Sequence, residues 1–255
     1  MNAALGVEAL KLYRAPAARV ATAVLVLVLP AVSAAMVAVA RSGSDSPLAA
    51  KARPMLIGTG WDAYLGMLAE IVSVAMLLAV GIVLSWVVGR EFAEGTVGAL
   101  LALPTSPRQV LRAKLVVTLI WALGCGLVAA VVAIPGGLAI GLGAPDAGAL
   151  RATGRLLVVA VLMTLLALPL AWVATVLRGY LSGISTLLGI VVITQIVTAA
   201  GAGGWFPYAA PSLWAGMGGA DAAAAITPVQ LLLAVPVGLV GAWAAAHRWQ
   251  TAELV

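Results

Sequence analysis

The chain has 255 residues, 64% of them apolar and only 9% charged, with a mean hydropathy of +1.14. A soluble domain carries about a quarter charged residues, so a soluble enzyme or binding module is excluded. Fourteen basic against nine acidic residues give a net charge of +5, but the cations stand singly beside apolar runs, which marks topogenic charge and no nucleic-acid surface.

Long uncharged runs occupy 20–40, 71–89, 115–145, 156–177, 179–220 and 222–246, and about 20 apolar residues suffice to cross a bilayer. The composition therefore predicts an all-α integral membrane protein, one transmembrane unit over 1–255, with six spans at about 18–40, 63–89, 112–141, 155–177, 181–203 and 228–246. The polar segments between them leave no room for a separate soluble domain.

Residues 2–15 come first. At 100° per residue Leu5, Ala9, Leu10, Leu12 and Tyr13 share one arc, with Glu8, Lys11 and Arg14 on another. That pattern predicts a helix lying flat among headgroups. Pro16 separates it from span one, whose apolar run is too long for a signal peptide, and Pro30 predicts a local kink there. Residues 41–62 are rich in turn formers and form a loop.

Span two contains Glu70, roughly ten ångströms from its outer end by helical rise. An intramembrane carboxylate is a candidate for a translocation pathway, or else a near-interface group paired with a loop arginine. Thr194, Gln195 and Thr198 in span five are further pathway candidates, with helix-to-helix hydrogen bonding as the other reading. Cys125, the single cysteine, lies within span three and can form no intrachain disulfide. Trp61, Trp205 and Trp214 at one face, with Trp86, Trp172 and Trp249 at the other, fit two interfacial belts. Residues 205–227 are crowded with Gly and Pro and predict short re-entrant or interfacial helices.

The segment between spans two and three carries most of the information. As one helix over about 90–104, Glu91, Glu94, Gly95, Gly98 and Ala102 fall on a narrow arc, opposite a wide apolar face. Pro104 ends it, and Ser106, Pro107 and Gln109 read as a fresh helix start with a capping box. A bilayer-surface helix normally offers cations to lipid; this one offers Glu, which suits docking of a partner.

Glu91, Glu94, Gly95, Thr96, Leu100, Leu101, Pro104, Ser106, Arg108 and Lys114, placed directly after span two, resemble the signature of ABC-2 type permeases, the membrane subunits of ABC exporters. The chain departs from many members in having Pro107 between Ser106 and Arg108. The resemblance covers most of the chain. It implies that 90–104 is a cytoplasmic coupling helix in which Glu91, Glu94, Gly95, Thr96 and Gly98 meet an ATPase, with Arg178 in a second, smaller contact. The implied partners are two copies of an ABC ATPase subunit, a second permease copy or a related chain, and membrane lipid. The implied location is the bacterial cytoplasmic membrane.

No phosphate loop ending in Gly-Lys-Ser or Gly-Lys-Thr occurs, so ATP and Mg belong to the partner ATPase and this chain is expected to bind no cofactor. Lys and Arg number nine in the segments on the N-terminal side and five on the other, which puts both termini in the cytoplasm. The charge-poor interior suits export of drugs, antibiotic peptides or lipid-like molecules. A membrane anchor or channel that recruits a partner without transport stays open, as does an intramembrane enzyme. The latter needs clustered catalytic groups, and the one histidine, His247, stands at a span end.

Overall fold

Each uncharged run folds as a long helix over at least part of its length, because a segment without water must satisfy its own backbone N–H and C=O groups. The computed structural model describes residues 2–43, 46–98 and 106–251; these contain no strand. Six helices are long and apolar enough to cross a membrane: Pro16–Arg41, Gly60–Ala93, Pro107–Ala139, Ala147–Val176, Tyr180–Ala199 and Pro228–Gln250, called spans one to six below. The all-helical, six-span architecture expected from composition is what the chain adopts.

A separate helix, Asn2–Arg14, precedes span one. Its orientation differs from the amphipathic expectation. Glu8 and Leu12 are buried, whereas Val7, Leu10 and Tyr13 are exposed, so part of the charged arc faces the spans. Span one contains a π-helical turn, Val24–Val28, immediately before Pro30. Proline has no N–H to give the preceding turn, and the widened turn accommodates that loss. Span four begins earlier than expected because Asp146 caps it, accepting from the Ala149 N–H at 2.9 Å.

Spans two and four form the centre, each 61% buried over its most apolar stretch, against 11% for span five. Small residues let the backbones close up, as is usual between membrane helices. On span two Gly81, Ser85 and Gly89 recur every fourth residue. A Cβ on Gly81 would press on the Leu170 and Leu187 side chains, and one on Gly89 would overlap the backbone of Tyr180 and Gly179. Ser85 packs against Gly183. Span six uses the same device, with Gly238 and Gly241 seated on Leu165 and Pro169 of span four.

Two of the six tryptophans assigned to interfacial belts are instead buried. Trp61 donates to the Gly143 carbonyl at 3.2 Å, and Trp249 donates to Thr175 Oγ1 at 2.9 Å while meeting Phe92 edge-on. Each indole N–H has a protein partner, so the ring can leave the interface. Between spans five and six lie the short helices Gly203–Trp205, Ala210–Ala215 and Ala220–Ala225.

Gly89→Ala should lower unfolding stability in detergent by about 1–3 kcal/mol through overpacking. Gly124→Ala on span three, where the added methyl meets open space, should cost nothing. Equal thermal unfolding of the two variants would refute the close approach at Gly89.

Candidate functional site

Lys114 lies two turns inside span three and is only 1% exposed. An unpaired ammonium there would cost several kcal/mol. The sequence answers with carboxylates from two other elements. Lys114 Nζ lies 2.8 Å from Glu8 Oε2 of the first helix and 2.9 Å from Glu91 Oε1 at the end of span two. Lys11 Nζ lies 3.2 Å from both Glu8 Oε1 and Glu91 Oε1. Thr96 Oγ1 donates to Glu91 Oε2 at 2.7 Å.

Two carboxylates and two ammonium groups thus close a neutral cluster in which Glu8 and Glu91 are 5% and 4% exposed. Partial burial works against the Lys11 ammonium, but the Glu8 and Glu91 carboxylates outweigh it and hold its pKa above the usual lysine value. The sequence alone does not bring Glu8, Lys11 and Lys114 together as a charge cluster. The available signal was Lys114 itself, a lysine inside a predicted span.

The segment after Glu91 departs from a single helix over 90–104. Span two ends at Ala93, and residues 94–96 form a turn before helix resumes at Val97. The turn is a Schellman cap: Gly95 N–H reaches Phe92 O at 3.3 Å, Thr96 N–H reaches Glu91 O at 3.0 Å, and Gly95 takes φ +68°. The expected ridge is therefore divided. Glu91 is withdrawn into the charge cluster, Glu94, Gly95 and Gly98 are exposed, and Thr96 is half-buried between them. The stretch 99–105, with Ala102, lies outside the described residues. Arg90 stacks 4.6 Å over Trp86 and pairs with Glu94 at 3.6 Å. Ser106 caps span three, accepting from the Gln109 N–H at 3.4 Å.

Arg178 sits at the same end of the bundle, since the turn it begins rests on Gly89. Span four closes with the same Schellman bonds, Arg178 N–H to Thr175 O and Gly179 N–H to Ala174 O. Arg178 holds the position that Gly95 holds after span two, at φ +51°, and among the described residues it is the one non-glycine with positive φ. Its side chain is exposed.

The pathway candidates divide into two places. Thr194, Gln195 and Thr198 line a cavity of about 150 Å³ with Ser73, Tyr208 and Ser212. Burial pushes the Tyr208 phenol up to about 12, so it remains protonated at neutral pH. Glu70 is not part of that lining. Its carboxylate lies against Gly216, which adopts φ +127° and where any Cβ would strike Glu70 Oε1. It makes no ion pair among the described residues. No group of three or more metal-binding side chains occurs among those residues.

A family model described as an ABC-2 family transporter protein matches residues 4–198. No curated protein matches the chain. The matched range takes in the charge cluster, the cap at Gly95, the Arg178 turn and all four pathway candidates.

Lys114→Met should cost about 3–5 kcal/mol of stability by leaving two buried carboxylates to the half-exposed Lys11, and adding Glu8→Gln and Glu91→Gln should restore most of it. Denaturant unfolding in detergent reads both, and an unchanged Lys114→Met protein would show the cluster to be hydrated. Arg178→Gly should stabilise by about 0.5–1 kcal/mol, the left-handed penalty less the glycine entropy cost.

Proposed function

This chain belongs to the ABC-2 transporter family, and we propose that it is the membrane-spanning permease subunit of an ATP-driven exporter. It works as a dimer, with a second copy or a related chain, on two copies of a separate ATPase subunit that hold ATP and Mg. Its place is the bacterial cytoplasmic membrane, with both termini in the cytoplasm, and its cargo is drugs, antibiotic peptides or other amphipathic, lipid-like molecules. The sparse cover over span five supports a second permease chain, since 89% of that span's apolar stretch is not buried within the protomer.

One observation carries the coupling assignment. Exposed Glu94, Gly95 and Gly98 hang from the end of span two through Glu91, whose carboxylate is tied to span three by Lys114 and to the first helix by Lys11. A displacement applied to the turn by an ATPase therefore reaches three helices through short, charge-assisted contacts. Thr96 locks the turn to Glu91, and Arg178 supplies a second cationic contact beside it. On the far side of the bundle Glu70, Thr194, Gln195 and Thr198 offer polar groups to a passing substrate. Hydrolysis takes place on the partner; this chain contributes position and movement.

The test is ATPase co-purification and transport at matched membrane levels of the permease. Gly98 has open space around it, so Gly98→Trp adds bulk on the docking face without backbone strain and should abolish both readouts. Glu94→Arg should weaken them by less than about fivefold, because exposed ion pairs contribute only about 0–1 kcal/mol. Wild-type assembly and transport by Gly98→Trp would refute the coupling site. Glu70→Gln should change transport while leaving ATPase association intact; unchanged transport would remove Glu70 from the pathway.

A further inference from the structure

A groove of about 890 Å³ runs beneath the first helix, between spans one and three. Its walls are Gly6 and Ala9 from the first helix, Val26 and Leu27 from span one, and Ile120 and Trp121 from span three. The volume falls in the range of ligand sites, roughly 300–1,000 Å³. Its polar atoms are already paired: Trp121 Nε1 donates to Thr22 Oγ1 at 2.8 Å, and Thr22 Oγ1 donates to the Ala18 carbonyl at 2.7 Å. The floor thus offers nothing to a polar guest and favours an apolar one. Leu27 and Ile120 are exposed at its rim, so it opens sideways, toward hydrocarbon.

The mouth is different. Arg19 donates Nε–H to the Tyr13 carbonyl at 3.0 Å and lies 5.8 Å over the Tyr13 ring. Both residues line the groove. This contact pins the guanidinium by one edge and leaves its other donors outward on an exposed residue. The first helix's one carboxylate, Glu8, is committed to Lys11 and Lys114, so it does not neutralise the mouth. A fixed guanidinium suits a phosphate oxygen pair.

We propose that this groove binds one anionic phospholipid, an acyl chain lying along Val26, Leu27 and Ile120 and the phosphate on Arg19. The assignment is independent of ATPase coupling and of the transported cargo. The lipid would sit against the first helix, whose other face carries Glu8, and so stabilise the packing of that helix on span three.

Native mass spectrometry of the detergent-purified chain tests this, with phosphatidylglycerol and phosphatidylcholine of identical acyl chains as probes. Wild type should retain one phosphatidylglycerol with about tenfold preference over phosphatidylcholine, whose phosphate already carries its own neutralising choline ammonium and so gains less from Arg19. Arg19→Gln should erase the preference while both lipids still bind weakly. Gly6 has no atom within reach of an added Cβ, so Gly6→Trp should fill the groove and remove the retained lipid of either kind, with unfolding in lipid-free detergent unchanged. Equal retention of the two lipids by wild type would overturn the proposal, as would a wild-type adduct surviving in Gly6→Trp. Loss of a dimer, in place of a lipid, from Gly6→Trp would assign the groove to a second copy and overturn it equally. If Gly6→Trp does not fold, the Arg19→Gln comparison decides alone.

Discussion

One ammonium group placed inside an apolar bundle governs how this end of the protein is assembled. Lys114 cannot be buried alone, and neither the apolar residues around it nor the water outside can neutralise it. Two carboxylates must come to it, one from a helix more than a hundred residues earlier and one from the end of span two. Bringing them fixes the height of the first helix against span three and carries span two past its last apolar turn to Ala93. The exposed turn that follows inherits its position from that neutralisation. Buried ion clusters seldom stabilise more than a hydrophobic replacement would; what this one supplies is register.

Elsewhere the bundle is held by close approach between small residues, not by charge. Gly81, Ser85 and Gly89 seat span two on spans four and five, and Gly238 and Gly241 seat span six on span four. The packing is uneven: the centre is dense while span five stands largely uncovered. Strain is equally localised. Among the described residues five helices end in Schellman-type bonds, at Gly95, Gly141, Arg178, Gly201 and Gly216, and four of these use the residue that tolerates positive φ freely. Arg178 does not, and it lies at the same end of the bundle as the turn at Gly95.

The spans were legible because a bilayer imposes length and apolarity on every crossing segment, and Ser106, Pro107 and Gln109 gave the start of span three by cap chemistry. The first helix was legible as a helix but not in its facing. Periodicity places Glu8 and Leu12 on different arcs, yet both are buried, since the destination of a charge depends on a partner far away in sequence. The segment after span two failed for a related reason. A wheel drawn through Gly95 treats it as an ordinary helical residue, while the backbone turns left-handed there and sends Glu91 and Glu94 to different surroundings. Trp61 and Trp249 moved inward because a carbonyl and a threonine hydroxyl, both distant in sequence, accept their N–H groups. Short-range pattern carried the elements; long-range neutralisation and hydrogen bonding decided their faces.

The π-helical turn at Val24–Val28 amounts to one residue more than an α-helix would use. The two halves of span one are therefore out of phase by about 100°. Below the turn Ala18 is buried and within it Leu25; above it Ser33 donates to the Tyr64 carbonyl and Val37 is buried. Removing a single valine there would restore a continuous helix and rotate everything on its N-terminal side as one piece. Glu8 would then swing away from Lys114. Span one is thus intolerant of a one-residue deletion at 24–28 in a way that hydropathy would never disclose, because the residue lost is apolar and the partner lost is a charge.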